Sequence, residues 1–342
     1  MILQSIWFFL WGLLWALFFI TDGFDLGLGT LYPFLGKSEQ DKQVMIHAIG
    51  PLWDGNEVWL ITAGGVTFAA FPLVYATMFS SLYAALMLIL FALILRGVSF
   101  EFRGKVDHPA WRTLWDSCIF IGSALPALLF GVAFANIFQG LPLDENHLFQ
   151  GNLLTLLNPY GLLGGVLFLL FFMMHGALWL AAKSEGEIHR RAARTARRLW
   201  PAELAAAVAF LILSARATPL YDNYFEYPVL FGVILLAVAG LLGIRYFMAR
   251  QRYFKAWFAS ALAIFAATFF GIVGLFPNLL PSRLDPQFSL TAFNASSSPL
   301  TLKIMFMVVM LFIPVVLVYQ AWTYHLFKSK VNPAELDVEE AY

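Results

Sequence analysis

Long apolar runs of about twenty residues alternate with short polar segments along most of this 342-residue chain. A run of about 20 apolar residues spans the hydrocarbon core of a bilayer as a helix. Nine such runs predict nine transmembrane helices, at roughly 6–31, 51–71, 74–96, 113–138, 160–182, 199–217, 227–247, 254–277 and 302–327. The second and third are joined at Phe71-Pro72, where a tight turn would make a helical hairpin. Arg216 limits the sixth. The expected fold is an all-α polytopic membrane protein.

Charge placement gives a direction, because cytoplasmic segments carry an excess of Lys and Arg. With the N-terminus outside, only Arg216, Arg283 and Lys303 of the 21 basic residues fall on the outer side. The C-terminus is then cytoplasmic. Composition agrees: 61% of residues are hydrophobic and 12% charged, against about 25% charged in soluble domains. Mean hydropathy is +0.76. Formal net charge is zero, so nothing argues for nucleic acid as a partner. Cys118 is the single cysteine, which excludes an internal disulfide and any Cys/His metal spacing. The N-terminus lacks a basic n-region and a small-residue cleavage site, so the first run reads as a retained span.

Residues 1–327 form one expected membrane domain. The outer segments 139–159 and 278–301, rich in Asn, Ser and Pro, read as ordered caps or short loops. Residues 328–342, with Glu335, Asp337, Glu339 and Glu340, read as a flexible cytoplasmic tail. Phe18-Phe19-Ile20-Thr21-Asp22-Gly23 is similar to Phe171-Phe172-Met173-Met174-His175-Gly176. This suggests two four-helix halves, 1–138 and 160–277, with 302–327 added.

Carboxylates inside hydrocarbon are expensive and mark functional candidates. Asp22 and Asp25 lie in the inner half of the first span, three residues apart and on one face. Capping is unavailable to them there, and the helix dipole disfavours acids late in a helix. Asp54 and Glu57, with Trp53, Asn56 and Trp59, open the second span at similar depth. They read either as caps of a helix starting after Pro51, as proton-transfer groups, or as a cation site. Glu101, Asp116 and Glu203 also fall near the inner edge.

His175 reads as a haem ligand, a proton relay or a histidine hydrogen-bonded between helices. The remaining histidines sit at span ends or in loops, so bis-His haem binding within this chain is not expected. Arg96-Gly97-Val98-Ser99-Phe100-Glu101-Phe102-Arg103 closes the third span. Glu101 could pair with either arginine there, as an interfacial anchor or beside the acidic cluster. Ser296-Ser297-Ser298-Pro299 is a helix start, and Lys303 either snorkels to headgroups or meets a partner. The 11 Trp and 35 Phe imply a large apolar surface facing lipid or another subunit.

Several stretches together resemble one family. They are Thr21 to Gly27 (TDGFDLG), Gly50 to Leu60 (GPLWDGNEVWL), Gly64-Gly65 with Phe68 to Pro72, Arg96 to Arg103, and Ser296 to Lys303. This set is similar to subunit II of cytochrome bd-type quinol oxidases, from the first span to the ninth. The resemblance implies a heterodimer that oxidises quinol and reduces dioxygen to water. Haems b and d and the quinol site would belong to subunit I. Subunit II would be haem-free, pack across a pseudo-symmetric interface, and hold a structural quinone or lipid. Small single-helix subunits are further expected partners. Positions matching Asp25 and Asp54 would help deliver cytoplasmic protons, and Trp59 would lie near a dioxygen route. The implied location is a bacterial or archaeal cytoplasmic membrane. The alternative from residues alone is a proton- or sodium-coupled secondary transporter.

Overall fold

The computed structural model of the chain describes residues 1–331. Fourteen helices follow in chain order: α1 (Ile2–Thr21), α2 (Gly23–Leu35), α3 (Glu39–Ile49), α4 (Trp53–Ala70), α5 (Pro72–Ser81), α6 (Tyr83–Phe102), α7 (Pro109–Gln139), α8 (Leu153–Leu156), α9 (Pro159–Lys183), α10 (Gly186–Ala217), α11 (Leu220–Glu226), α12 (Phe231–Ala249), α13 (Tyr253–Leu275) and α14 (Pro299–Leu326). Among the described residues, eight helices are long and apolar enough to cross a membrane: α1 with α2 as one run, α6, α7, α9, α10, α12 with its preceding turn, α13 and α14. The segment expected as the second span is α4. It is 18 residues long and opens with Asp54, Asn56 and Glu57, which lower its apolarity.

Local chemistry explains several boundaries. Phe71 leaves the helical region at φ −135°, ψ 65°, and α5 begins with Pro72 at its first position. The missing N–H of proline costs nothing there. The loop joining α4 to α5 is therefore the turn the sequence indicates. Ser298 caps α14 by accepting from the Thr301 N–H, with Pro299 first in the helix. The sixth span differs from expectation: α10 starts at Gly186. The basic residues Arg190 to Arg198 therefore ride on its first turns, not in a loop.

The first span is broken at Asp22, which ends α1 and precedes α2. Asp25 therefore lies in the first turn of a helix. Helical hydrogen bonds nevertheless run on through Asp22: its N–H donates to the Phe18 carbonyl at 2.8 Å and its carbonyl accepts from the Leu26 N–H at 2.9 Å, so both acids stand in one near-continuous span.

α2 and α9 cross at the centre. A Cβ on Gly27 would lie 1.6 Å from the Phe172 carbonyl oxygen, and one on Gly176 would lie 2.4 Å from the Leu28 nitrogen. Only glycine permits so close an approach of two backbones. Around this crossing, α1 packs on α4, α6 on α7 and α2 on α7. The pairs α9–α10, α12–α13 and α9–α13 repeat that pattern in the second half. α14 lies apart, with most of its length exposed.

The two polar outer segments form one ordered cap. Asn278–Leu280 pairs antiparallel with Leu290–Thr291, and the Leu141 N–H donates to the Pro281 carbonyl at 2.9 Å. At the other face residues 328–331 are tied down: the Val331 N–H donates to the Lys183 carbonyl at 2.9 Å, and Lys330 pairs with Glu185 at 3.1 Å. That corrects the expectation of a flexible tail for these four residues. Glu335, Asp337, Glu339 and Glu340 lie outside the described residues.

Candidate functional site

Three short stretches, far apart in sequence, meet in a buried polar cluster. Asp22 and Asp25, three residues apart, share one face of the first span, and both are fully buried. α4 supplies Asn56 and Glu57, and α6 supplies Arg96, itself fully buried. The Arg96 Nη2 donates to Asp22 Oδ1 at 2.7 Å and to Glu57 Oε1 at 2.5 Å. Asn56 Nδ2 donates to Asp25 Oδ2 at 2.7 Å. One cation thus faces three carboxyl groups and bonds two of them. Asp22 Oδ2, Asp25 Oδ1, and Arg96 Nε and Nη1 find no hydrogen-bond partner among the described residues. Buried polar atoms are rarely left so, and sites with several convergent polar groups hold ordered water.

α14 closes the cluster from the far end of the sequence. The Tyr324 hydroxyl donates to Asn56 Oδ1 at 2.9 Å. Gln320 Nε2 reaches the same oxygen at 3.4 Å, and its Oε1 accepts from Trp59 Nε1 at 3.0 Å. The Asn56 amide is therefore oriented with its oxygen to α14 and its NH2 to Asp25. Sequence reasoning missed Gln320 and Tyr324. The available signal was a pair of polar groups four residues apart, on one face of a strongly apolar helix.

The other candidates are placed as follows. Asp54 is exposed, so it does not join Glu57 in the cluster as expected: three residues on, Glu57 turns to Arg96 while Asp54 faces outward. Nor do these side chains cap α4, which starts after Leu52 with no side-chain cap bond. Trp53 leans on Phe100 at 5.4 Å between centroids, and Trp59 is buried. Lys303 is exposed at the start of α14. Glu101 is exposed and pairs with neither arginine. Arg96 binds Asp22 and Glu57, while Arg103 binds Glu39 in two-pronged fashion at 2.6 and 2.9 Å and Asp116 at 2.6 Å. Glu203 is fully buried with both carboxylate oxygens unpartnered among the described residues.

His175 is fully buried. Its Nε2 lies 3.1 Å from the Ile20 carbonyl oxygen, which can only accept, so this nitrogen carries the proton. Its ring stacks on Trp257 at 4.9 Å and 10°. The imidazole is thus used between helices, with Nε2 bonded, one face covered and Nδ1 without a partner among the described residues. Among the described residues no group of three or more His, Cys, Asp or Glu could hold a metal ion.

A second polar layer lies beyond Arg103. Lys42 pairs with Asp116 at 2.6 Å and Arg191 with Asp41 at 2.6 Å. The Arg103 hydrogen bonds hold the Glu39 carboxyl below the usual carboxylate range, against its partial burial. Burial pushes Asp41 up, but hydrogen bonds from Arg191 and Ser38 outweigh it and leave it lowered.

The chain is similar along its whole length to proteins of one kind. The family model for cytochrome bd terminal oxidase subunit II matches residues 3–327. A probable cytochrome oxidase subunit 2 of Haemophilus influenzae is 38% identical, covering 98% of this chain and 97% of its own. The cytochrome bd ubiquinol oxidase subunit 2 of Bacillus subtilis is 35% identical, covering 97% and 98%. In fold, the chain matches a bd oxidase structure from Geobacillus thermodenitrificans with a TM-score of 0.77 at 16% identity, over 95% of this chain and 97% of that one. A buried carboxylate cluster in an all-helical membrane fold, with these matches end to end, places the chain in the cytochrome bd terminal oxidase subunit II family.

Proposed function

We propose that this chain is the haem-free second subunit of a bacterial terminal oxidase that oxidises quinol and reduces dioxygen to water. It crosses the cytoplasmic membrane nine times, with α4 as a span beside the eight longer apolar ones, as two four-helix halves plus α14. The N-terminus is outside and the C-terminus in the cytoplasm. The redox chemistry belongs to haems b and d in subunit I, and this chain supports that subunit and supplies proton access. The His175 imidazole, bonded through Nε2 and stacked on Trp257, supports the haem-free reading.

One observation carries the proton role. Asp22 and Asp25 are fully buried, each with a free carboxylate oxygen beside Arg96. With Arg96 bonded to Asp22 and Asn56 to Asp25, these acids can pass a proton without two bare charges facing each other. Asp54 lies exposed on the adjoining helix, on a surface that subunit I is free to cover. There it would take protons across to the partner rather than within this chain. The same face suits the partner on physical grounds: Val58, Ile61, Phe68 and Phe91 are exposed apolar side chains.

Two further roles follow. The α4 residues after Trp59, namely Leu60, Ile61 and Gly64, line an apolar cavity of about 310 Å³ with Trp11 and Trp15. Such a cavity admits dioxygen, and it is large enough for part of a quinone or lipid tail. Small single-helix subunits would find apolar α14 a ready surface. The transporter alternative has no observation of its own: Asp22, Asp25 and Glu57 gather at one level beside a cation.

The test begins with the intact complex, purified in mild detergent. Its reduced-minus-oxidised spectrum should show haem d with a co-purifying large subunit. Asp25→Asn and Asp54→Asn should then slow quinol oxidation with haem content intact. A colourless single-chain preparation would refute the oxidase reading, and loss of haem in both variants would make the acids structural.

A further inference from the structure

Three helices each carry two polar residues seven positions apart: Asp25 and Tyr32 on α2, Arg96 and Arg103 on α6, Asp116 and Ser123 on α7. Seven residues are two helical turns, about 10.5 Å, so each pair shares a face. Contacts fix the alignment. Arg96 meets Asp22, and Arg103 sits 6.0 Å from the Tyr32 ring centre. Arg103 also binds Asp116, while Gly122 abuts Arg96. Two polar layers result. One holds Asp22, Asp25, Glu57 and Arg96. The other holds Tyr32, Arg103, Asp116, Glu39 and Lys42, and it reaches the surface through Glu39, whose side chain is 39% exposed.

Between the layers stands Ser123. It is fully buried, and its Oγ would lie 2.0 Å from a Cβ on Gly29. Gly29 is about 6 Å along α2 from Asp25 and about 4.5 Å from Tyr32. The absent side chain of Gly29 is what lets the hydroxyl sit at that height. Neither the Ser123 Oγ nor the Tyr32 OH has a hydrogen-bond partner among the described residues. The Tyr32 hydroxyl lies beside the Asp116 carboxylate, at the edge of hydrogen-bonding range. Arg96 Nε and Nη1, Asp25 Oδ1 and Asp22 Oδ2 are likewise buried and without partners among the described residues. Buried polar atoms left so by the protein are ordinarily met by ordered water.

We propose that the Tyr32 and Ser123 hydroxyls, bridged by water, form the uptake route by which protons pass from the Arg103–Asp116–Glu39 layer to Asp22 and Asp25. Each hydroxyl accepts one proton as it gives up another, so neither changes its net state. The route rests on the proton role argued above for Asp25. It gives that role a source.

The test uses the intact two-subunit oxidase, reduced and mixed with dioxygen, with proton uptake followed by a pH dye and electron transfer by the haem bands. Tyr32→Phe and Ser123→Ala each remove a single oxygen and keep the rest of the side chain, and Ser123 Oγ has no partner among the described residues, so folding gives little reason for an effect. Proton uptake is expected to slow severalfold in each, with haem content and the KM for quinol unchanged. Wild-type uptake in both, with Asp25→Asn slow, would overturn the route and leave the role of Asp25 standing. Wild-type uptake in Asp25→Asn would remove the role and the route together. If the variants fail to assemble, the wild-type complex decides: radiolytic footprinting in 18O-water should label buried Tyr32 from adjacent bound water, and an unlabelled Tyr32 refutes the bridging water.

Discussion

Arg96 has two hydrogen-bonded carboxylates and a third acid close by; Arg96, Asp22 and Asp25 are fully buried, and only Glu57 is partly exposed. Removing one partner of a buried ion pair leaves an uncompensated charge, at a cost of about 3–5 kcal/mol. Arg96→Met should therefore lower the thermal midpoint of the complex sharply, measured by loss of the haem spectrum on heating. Tyr324→Phe is a milder change. It frees Asn56 Oδ1 from its hydroxyl partner and lets the amide turn away from Asp25. Turnover should fall with KM for quinol and thermal midpoint near wild type. At this scale the sequence marked the cluster well, because a charge in an apolar run is conspicuous. Asp22, Asp25, Asn56, Glu57 and Arg96 were all legible. Direction was not. Asp54 and Glu57 are three residues apart, yet one faces outward and the other meets Arg96. Glu101 and Arg103 are near neighbours in sequence, yet only Arg103 turns in.

Among the helices, the α2–α9 crossing sets the geometry of everything near Asp25. Gly27→Val would drive a side chain into the Phe172 carbonyl, and a β-branched residue has no rotamer that avoids it. The expected outcome is failure of assembly, read as absence of the haem-bearing complex from membranes. Gly64→Val, where a Cβ meets nothing within 4 Å, is the matching control and should assemble. The helices themselves were legible from apolar run length, since hydrocarbon thickness fixes that length. The irregularity at Asp22 was not, because no proline marks it and the backbone stays in the helical region there. The start of α10 was hidden for a different reason: its basic first turns read as loop when apolarity alone is counted.

Across the molecule as a whole, ion pairs gather on the face that charge counting assigns to the cytoplasm. Glu39 and Asp41 titrate below their ordinary values of 4.5 and 3.8. A carboxyl lowered in the folded state adds stability above its unfolded value and loses it as pH falls through the folded one. The complex should therefore lose thermal stability on acidification below about pH 4.5. Glu39→Gln and Asp41→Asn should each flatten that dependence, followed by melting in detergent across the acid range. High salt should weaken these partly exposed pairs and leave the buried Arg96 cluster in place.

The fixing of α14 has a mechanical consequence. At one end the Trp7 indole N–H donates to the Leu302 carbonyl at 3.0 Å, and Ser297 Oγ donates to the Ala69 carbonyl at 2.6 Å. At the other, Lys183 donates to the Phe327 and Ser329 carbonyls, while Gln320 and Tyr324 grip Asn56. Between them, Met307, Leu311, Val315 and Val318 stand exposed. The helix is a bowstring, pinned at both tips and bare along its span. Pressure on the string would reach the tip, where the Tyr324 hydroxyl bonds the amide that holds a buried acid. Subunit docking and proton traffic would then share one moving part, tuned by pressure on apolar residues that never touch a proton.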